Sequence, residues 1–148
     1  MDFLKHLHSG LRWVVLLLLV MAVVNAFKRW KSGESYGAKD KVLNLFSMIS
    51  VHTQLLIGLI LYFAGDMGVK MFKYMSDNAT ARFFAVEHIT MMVLAIVLIT
   101  VGRKRAQAKS KDAAKHRLIF IWYVIALIII LAAIPWPFLS KFSGSGYF

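Results

Sequence analysis

Four long apolar stretches constrain the fold of this chain more than any other feature of the sequence. Crossing the hydrocarbon layer of a membrane takes about 20 mostly apolar residues in a helix. Stretches of this kind lie at about residues 8–27, 42–64, 83–101 and 118–134. A backbone in lipid must satisfy its own hydrogen bonds, so each stretch is predicted to be helical. The sequence therefore predicts an all-α integral membrane four-helix bundle, with residues 1–148 as a single four-span domain.

Composition supports a membrane environment and excludes several classes of protein. Hydrophobic residues make up 59% of the chain and charged residues 17%, values that do not fit a soluble enzyme or a disordered tail. The chain contains no cysteine, which excludes disulfides, thiolate zinc sites and iron–sulfur clusters.

The formal net charge of +11 is concentrated in two connections between the apolar stretches. Five Lys and Arg residues lie between Lys28 and Lys41, and seven lie between Arg103 and Arg117. The positive-inside rule then predicts both termini on the non-cytoplasmic side of an inner (cytoplasmic) membrane. The expected partners are the lipid bilayer and other membrane subunits; no nucleic-acid partner is expected, since no aromatic-interleaved basic surface accompanies the charge. Signal-peptide cleavage after residues 24–26 is the alternative for the first stretch, but Lys28 and Arg29 favour a retained span.

Ionisable side chains inside membrane spans are costly, so each is a hypothesis about function. The spans contain five such residues: His8, Arg12, His52, Glu87 and His88. Counting from the basic end of each span places His52 near mid-membrane, with His88 and Arg12 roughly 6–8 Å further out. His116 is expected in the cytoplasmic basic segment, apart from the others.

Two imidazoles on neighbouring spans, with a cation nearby, match the requirements of haem b. The sequence predicts His52 and His88 as iron ligands, with His8 as the alternate ligand because the pairing is not uniquely determined. Arg12 is expected to hold a propionate, and Glu87 to tune the site by hydrogen bonding or charge. Gly58 is among the small residues expected to make room for the ring.

Two other readings of the same residues stay open. The histidines can simply hydrogen-bond between helices, with Arg12 and Glu87 as a buried ion pair that fixes the packing. A quinone site or a proton-handling site is also compatible with these residue types.

Five short segments resemble a family of small four-helix membrane proteins of Bacteroidota-type bacteria that are described as cytochrome b-like. The segments are residues 8–13, 51–62, 87–92, 115–117 and 134–137. The resemblance implies a haem-containing electron carrier, or an accessory subunit that retains the scaffold, and it draws attention to His116. The expected function is therefore membrane electron transfer beside a larger redox complex. The alternative is a non-catalytic accessory or assembly subunit, and an independent enzyme is not indicated.

Overall fold

The computed structural model describes residues 1–139 and Phe142, and the expectation of an all-α fold with four span-length helices is confirmed. Each helix is long and apolar enough to cross a membrane, so the chain is a multi-pass membrane protein. The four helices are α1 (Asp2–Ser32), α2 (Ala38–Ala64), α3 (Ala79–Gln107) and α4 (Asp112–Ala133). A 3₁₀ segment, Val69–Tyr74, lies between α2 and α3.

The helices extend beyond the predicted spans because the flanking sequence also favours helix. Alanine, lysine, arginine and glutamine are good helix formers, and they continue α3 through Gln107. The two basic connections therefore shrink to residues 33–37 and 108–111. Gly33 ends α1 with a φ of 71°, and its N–H donates to the carbonyl of Arg29, as in a left-handed C-cap. The fourth helix ends at Ala133, ahead of Pro135, as the sequence predicts.

The helices form a ring in which α1 and α3 lie diagonally opposite each other. The first helix packs against α2 and α4, and α3 packs against α4 and, over a much smaller area, against α2. The tightest part of the core lies in the half of the bundle near the basic connections, where four large side chains are fully buried: Leu19, Ile99, Ile119 and Tyr123. We call this half the basic end, and the half that contains the N-terminus the cavity end.

Candidate functional site

The cavity end encloses a space of about 520 Å³ between all four helices. That volume falls within the range of roughly 300–1,000 Å³ that is typical of small-molecule sites. Its lining runs from Asp2 to Val15 on α1, which corresponds to a depth of about 20 Å. The deeper wall is apolar and includes Val51, Leu55, Met92, Ile96 and Ile130. Polar side chains also line the cavity, among them His8, Arg12, Gln54 and His88.

The imidazole of His88 is held by a backbone carbonyl of the neighbouring helix. Its Nδ1 lies 2.8 Å from the carbonyl oxygen of Ala133 on α4. A carbonyl oxygen only accepts hydrogen bonds, so Nδ1 carries the ring proton and Nε2 keeps the lone pair. This is the arrangement that orients a metal-binding histidine, since a hydrogen bond at one ring nitrogen fixes the tautomer and direction of the other.

A turn of π-helix precedes His88 and sets its place on α3. The turn spans Phe83–Glu87, and the backbone N–H of His88 donates to the carbonyl of Phe83, five residues earlier. Within the turn, the carbonyl of Ala85 accepts a hydrogen bond of 2.8 Å from the hydroxyl of Tyr62, which also lines the cavity. Single π-helical turns are rare and are frequent at functional sites. The α2 helix therefore supports the backbone irregularity that presents His88.

His8 lies against α2, on the diagonal helix from His88. A Cβ atom at Gly58 would be 3.1 Å from Cε1 of His8, so only glycine leaves the ring its present space. The backbone carbonyl of His8 accepts a hydrogen bond of 2.8 Å from Gln54. Its Nδ1 is buried and has no hydrogen-bond partner among the described residues. A buried polar atom of this kind needs a partner, and here it belongs to a residue that lines the cavity.

Arg12 brings a cation into the same cavity, one helical turn from His8. Its guanidinium carbon lies 5.4 Å from the ring centroid of Trp13. Gly58, expected to make room for a haem ring, also lines the cavity and lies against the imidazole of His8. The structure thus brings three of the five sequence-predicted residues to one site: His8, Arg12 and His88.

His52 lies elsewhere, between α2 and α3 and outside the cavity lining of the described residues. Its Nδ1 is 2.8 Å from the carbonyl of Met48, and its Nε2 is 3.5 Å from the hydroxyl of Thr100. Thr100 is 12 residues from His88 on α3, an axial distance of about 18 Å at 1.5 Å per residue. The structure therefore does not bring His52 and His88 together. It brings together His8 and His88, the other pair that the sequence leaves open.

Glu87 precedes His88 but does not line the cavity. Its carboxylate forms an ion pair with Arg82, with Nε and Oε1 2.9 Å apart. This contact lies at the start of α3, near the surface.

The basic end contains a second polar cluster that the sequence reasoning missed. His116, expected in a cytoplasmic segment, is part of α4 and is only 1% exposed. Its ring centroid lies 5.1 Å from that of Tyr36, whose hydroxyl accepts a hydrogen bond from Asn44. Burial raises the pKa of Tyr36, so its hydroxyl stays protonated at neutral pH. Tyr123 donates to the backbone carbonyl of Asn44 from α4.

The same cluster contains a buried carboxylate, that of Asp40. It accepts hydrogen bonds from Asn25 at 2.7 Å and from the N–H of Gly37 at 2.8 Å, and it lies 3.4 Å from Arg29. The signal for this cluster was present in the sequence, since Asp40, Asn44 and Ser47 recur every three or four residues on one face of α2. These contacts join α1, α2 and α4, which assigns the cluster a packing role.

The geometry of the cavity limits its chemistry. No group of three or more His, Cys, Asp or Glu residues within the described part of the chain is arranged to hold a metal ion directly. The described residues bring two imidazoles, a cation and an apolar wall to one cavity. Comparison of the chain with protein-family models, with curated proteins and with solved structures finds no significant match.

Proposed function

We propose that the cavity binds haem b and that the protein is a membrane electron carrier. His8 and His88 would hold the haem iron, and Arg12 would pair with a propionate carboxylate. When bound, haem b supplies a centre that accepts and releases one electron. The two histidines stand on diagonal helices that face one cavity, which is how helical bundles place cofactor ligands.

The observation that carries the proposal is the pair of imidazoles in the cavity lining. The Nδ1–H of His88 is fixed on the carbonyl of Ala133, so its Nε2 is left as a basic nitrogen in a residue that lines the cavity. The buried Nδ1 of His8, without a partner among the described residues, gives the same cavity a second imidazole nitrogen. Arg12 lies one turn from His8 and brings a cation to the same cavity lining.

The residues of the chain have separate roles in this proposal. Tyr62 and the π-helical turn position His88, and Gly58 leaves space for His8. The apolar wall excludes water from the ring of the cofactor, which favours a stable redox centre. His52 and Glu87 have other contacts and act outside the cavity.

The deciding experiment is an absorption spectrum of the purified full-length protein, produced with ample haem and reduced with dithionite. A Soret band with a sharp reduced alpha band supports the proposal, and its absence contradicts it. His8→Ala and His88→Ala should each lose haem or change to a five-coordinate spectrum. His52→Ala and His116→Ala are matched controls outside the cavity and should keep the wild-type spectrum.

The proposal also includes the membrane in which the protein lies, its orientation and its partners. The distribution of basic residues supports a bacterial inner membrane, with the basic end in the cytoplasm and both termini outside. A larger redox complex is the expected partner, and quinone is the alternative ligand of the cavity. The alternative, an accessory or assembly subunit, is favoured by the buried Asp40 cluster, whose contacts serve packing. A colourless protein that copurifies with a larger complex would support that alternative.

A further inference from the structure

The basic end carries far more positive charge than its acids can neutralise. Its twelve Lys and Arg residues lie in two segments, Lys28–Lys41 and Arg103–Arg117. The same two segments contain only three acids: Glu34, Asp40 and Asp112. All three acids already have partners within the chain. Arg29 lies 3.2 Å from Glu34 and 3.4 Å from Asp40, and Lys115 lies 2.7 Å from Asp112. Most cations of this end therefore have no carboxylate partner among the described residues.

Two of these cations lie over an aromatic surface between α1 and α4. Phe27, Trp30 and Phe120 form this surface, which we call the Trp30 platform, with ring centroids 5.1–6.5 Å apart. Lys31 Nζ is 4.6 Å from the Trp30 centroid, and the guanidinium carbon of Arg117 is 6.0 Å from it. Two helices thus place two positive charges on one indole ring.

The platform lies at the depth of the lipid headgroups. The 31 residues of α1 give a length of about 46 Å, against a hydrocarbon thickness of about 30 Å. The ends of α1 therefore extend into the headgroup layers, and Trp30 lies two residues before its last residue. Phe27, one turn deeper, is 43% exposed and faces outward from the bundle. The platform has an apolar side for acyl chains and a cationic side for a phosphate.

We propose that the Trp30 platform binds the headgroup of an anionic phospholipid. Lys31 and Arg117 would donate charge-assisted hydrogen bonds to the phosphate, and the acyl chains would lie along Phe27 and Phe120. The site is at the opposite end of the bundle from the cavity and does not depend on the function proposed for it. Its ligand would tie α1 to α4 at the membrane surface.

The test measures lipid binding to the full-length protein by native mass spectrometry, with phosphatidylglycerol and phosphatidylcholine as the two probes. The double variant Lys31→Gln/Arg117→Gln removes both cations of the platform. The control Lys109→Gln/Lys111→Gln removes the same charge from exposed residues of the same end. Each platform cation would lose a hydrogen bond to the phosphate that contributes about 1 kcal/mol, so the platform variant should bind phosphatidylglycerol about 30-fold more weakly. The control should bind it as the wild type does.

Three results would overturn the proposal. The first is equal binding of both lipids by the wild type, and the second is an equal loss in the platform and control variants, which would indicate diffuse attraction only. If the double variant does not fold, the single variant Lys31→Gln replaces an exposed residue and should weaken binding about 5-fold. Unchanged binding in that variant is the third contradicting result.

Discussion

Replacing Gly58 by alanine should weaken cofactor binding without lowering the stability of the protein. A Cβ atom at this position would lie 3.1 Å from Cε1 and 3.7 Å from Nδ1 of His8. The first distance is shorter than a normal van der Waals contact, so the imidazole must move by a few tenths of an ångström. Overpacking of this kind costs about 1–3 kcal/mol. If that cost falls on the ligand-bound state, haem affinity decreases about 5- to 150-fold.

The protein itself should not become less stable in this variant. Alanine is favoured over glycine inside a helix by about 1 kcal/mol, which offsets the crowding when His8 is free to turn into the cavity. The control is Gly10→Ala, because a Cβ atom at Gly10 meets nothing within 4 Å. It makes the same substitution in α1, two residues from His8, without crowding the imidazole.

The assay is a haem titration of each purified variant, followed by the Soret absorbance, with thermal unfolding measured on the same sample. We expect weaker binding for Gly58→Ala at an unchanged or higher unfolding temperature, and wild-type binding for Gly10→Ala. If Gly58→Ala binds haem with wild-type affinity and spectrum, the position of His8 against α2 does not control the site. The assignment of His8 as a ligand would then lose its structural basis.

Three further predictions concern stability and topology. Asp40→Asn should lower the free energy of unfolding by about 3 kcal/mol, measured by thermal unfolding in detergent, because Arg29 and Asn25 lose a buried carboxylate. Gly102→Ala should destabilise by about 1–3 kcal/mol, since a Cβ atom there would overlap Cβ of Trp122; an unchanged midpoint would contradict this close approach of α3 and α4. A cysteine at position 108 should resist an impermeant thiol reagent in intact cells, and ready labelling would reverse the proposed orientation.

The fold could be predicted from the sequence because membrane spanning depends on properties that a single sequence displays. The length of an apolar run and the need for internal hydrogen bonds together require helices at the four stretches. Basic residues were less reliable markers of the ends of the helices. Lysine and arginine are compatible with helix, so α3 continues through Arg103 and Lys104 to Gln107.

The candidate site could be predicted only in part, because depth cannot be counted reliably from charged residues. The prediction from the sequence assumed that Lys41 and Arg103 lie at the same depth in the membrane. In the structure, Nη1 of Arg103 lies 4.0 Å from Sδ of Met48, which is seven residues beyond Lys41. That offset corresponds to about 10 Å, and it explains why His52 and His88 are about 18 Å apart in depth rather than one turn.

The shared position of His8 and Arg12 was predicted correctly, because both residues lie in the same helix, α1. His8 and Arg12 are four residues apart in one continuous helix, so their shared face follows from the helical repeat alone. Their relation to His88 depends on how α1 and α3 pack, and on the π-helical turn at Phe83–Glu87. No periodicity in the sequence signals that turn. The buried position of His116 was missed for the same reason that α3 was cut short, because a basic neighbourhood was taken to indicate a loop.

The size and lining of the cavity help to decide between haem binding and a structural role. The space of about 520 Å³ is open at the cavity end of the bundle, so in the membrane it is filled by water, by lipid or by a ligand. Water can enter past Asp2 and Asp66 and solvate Arg12, but it gains little against the wall formed by Val51 and Ile96. A lipid chain would match that wall but would leave the imidazole of His8 without a partner. The proposed haem would place an apolar ring against this wall and its iron beside the two histidines, and for that reason we propose haem rather than a structural role for the cavity.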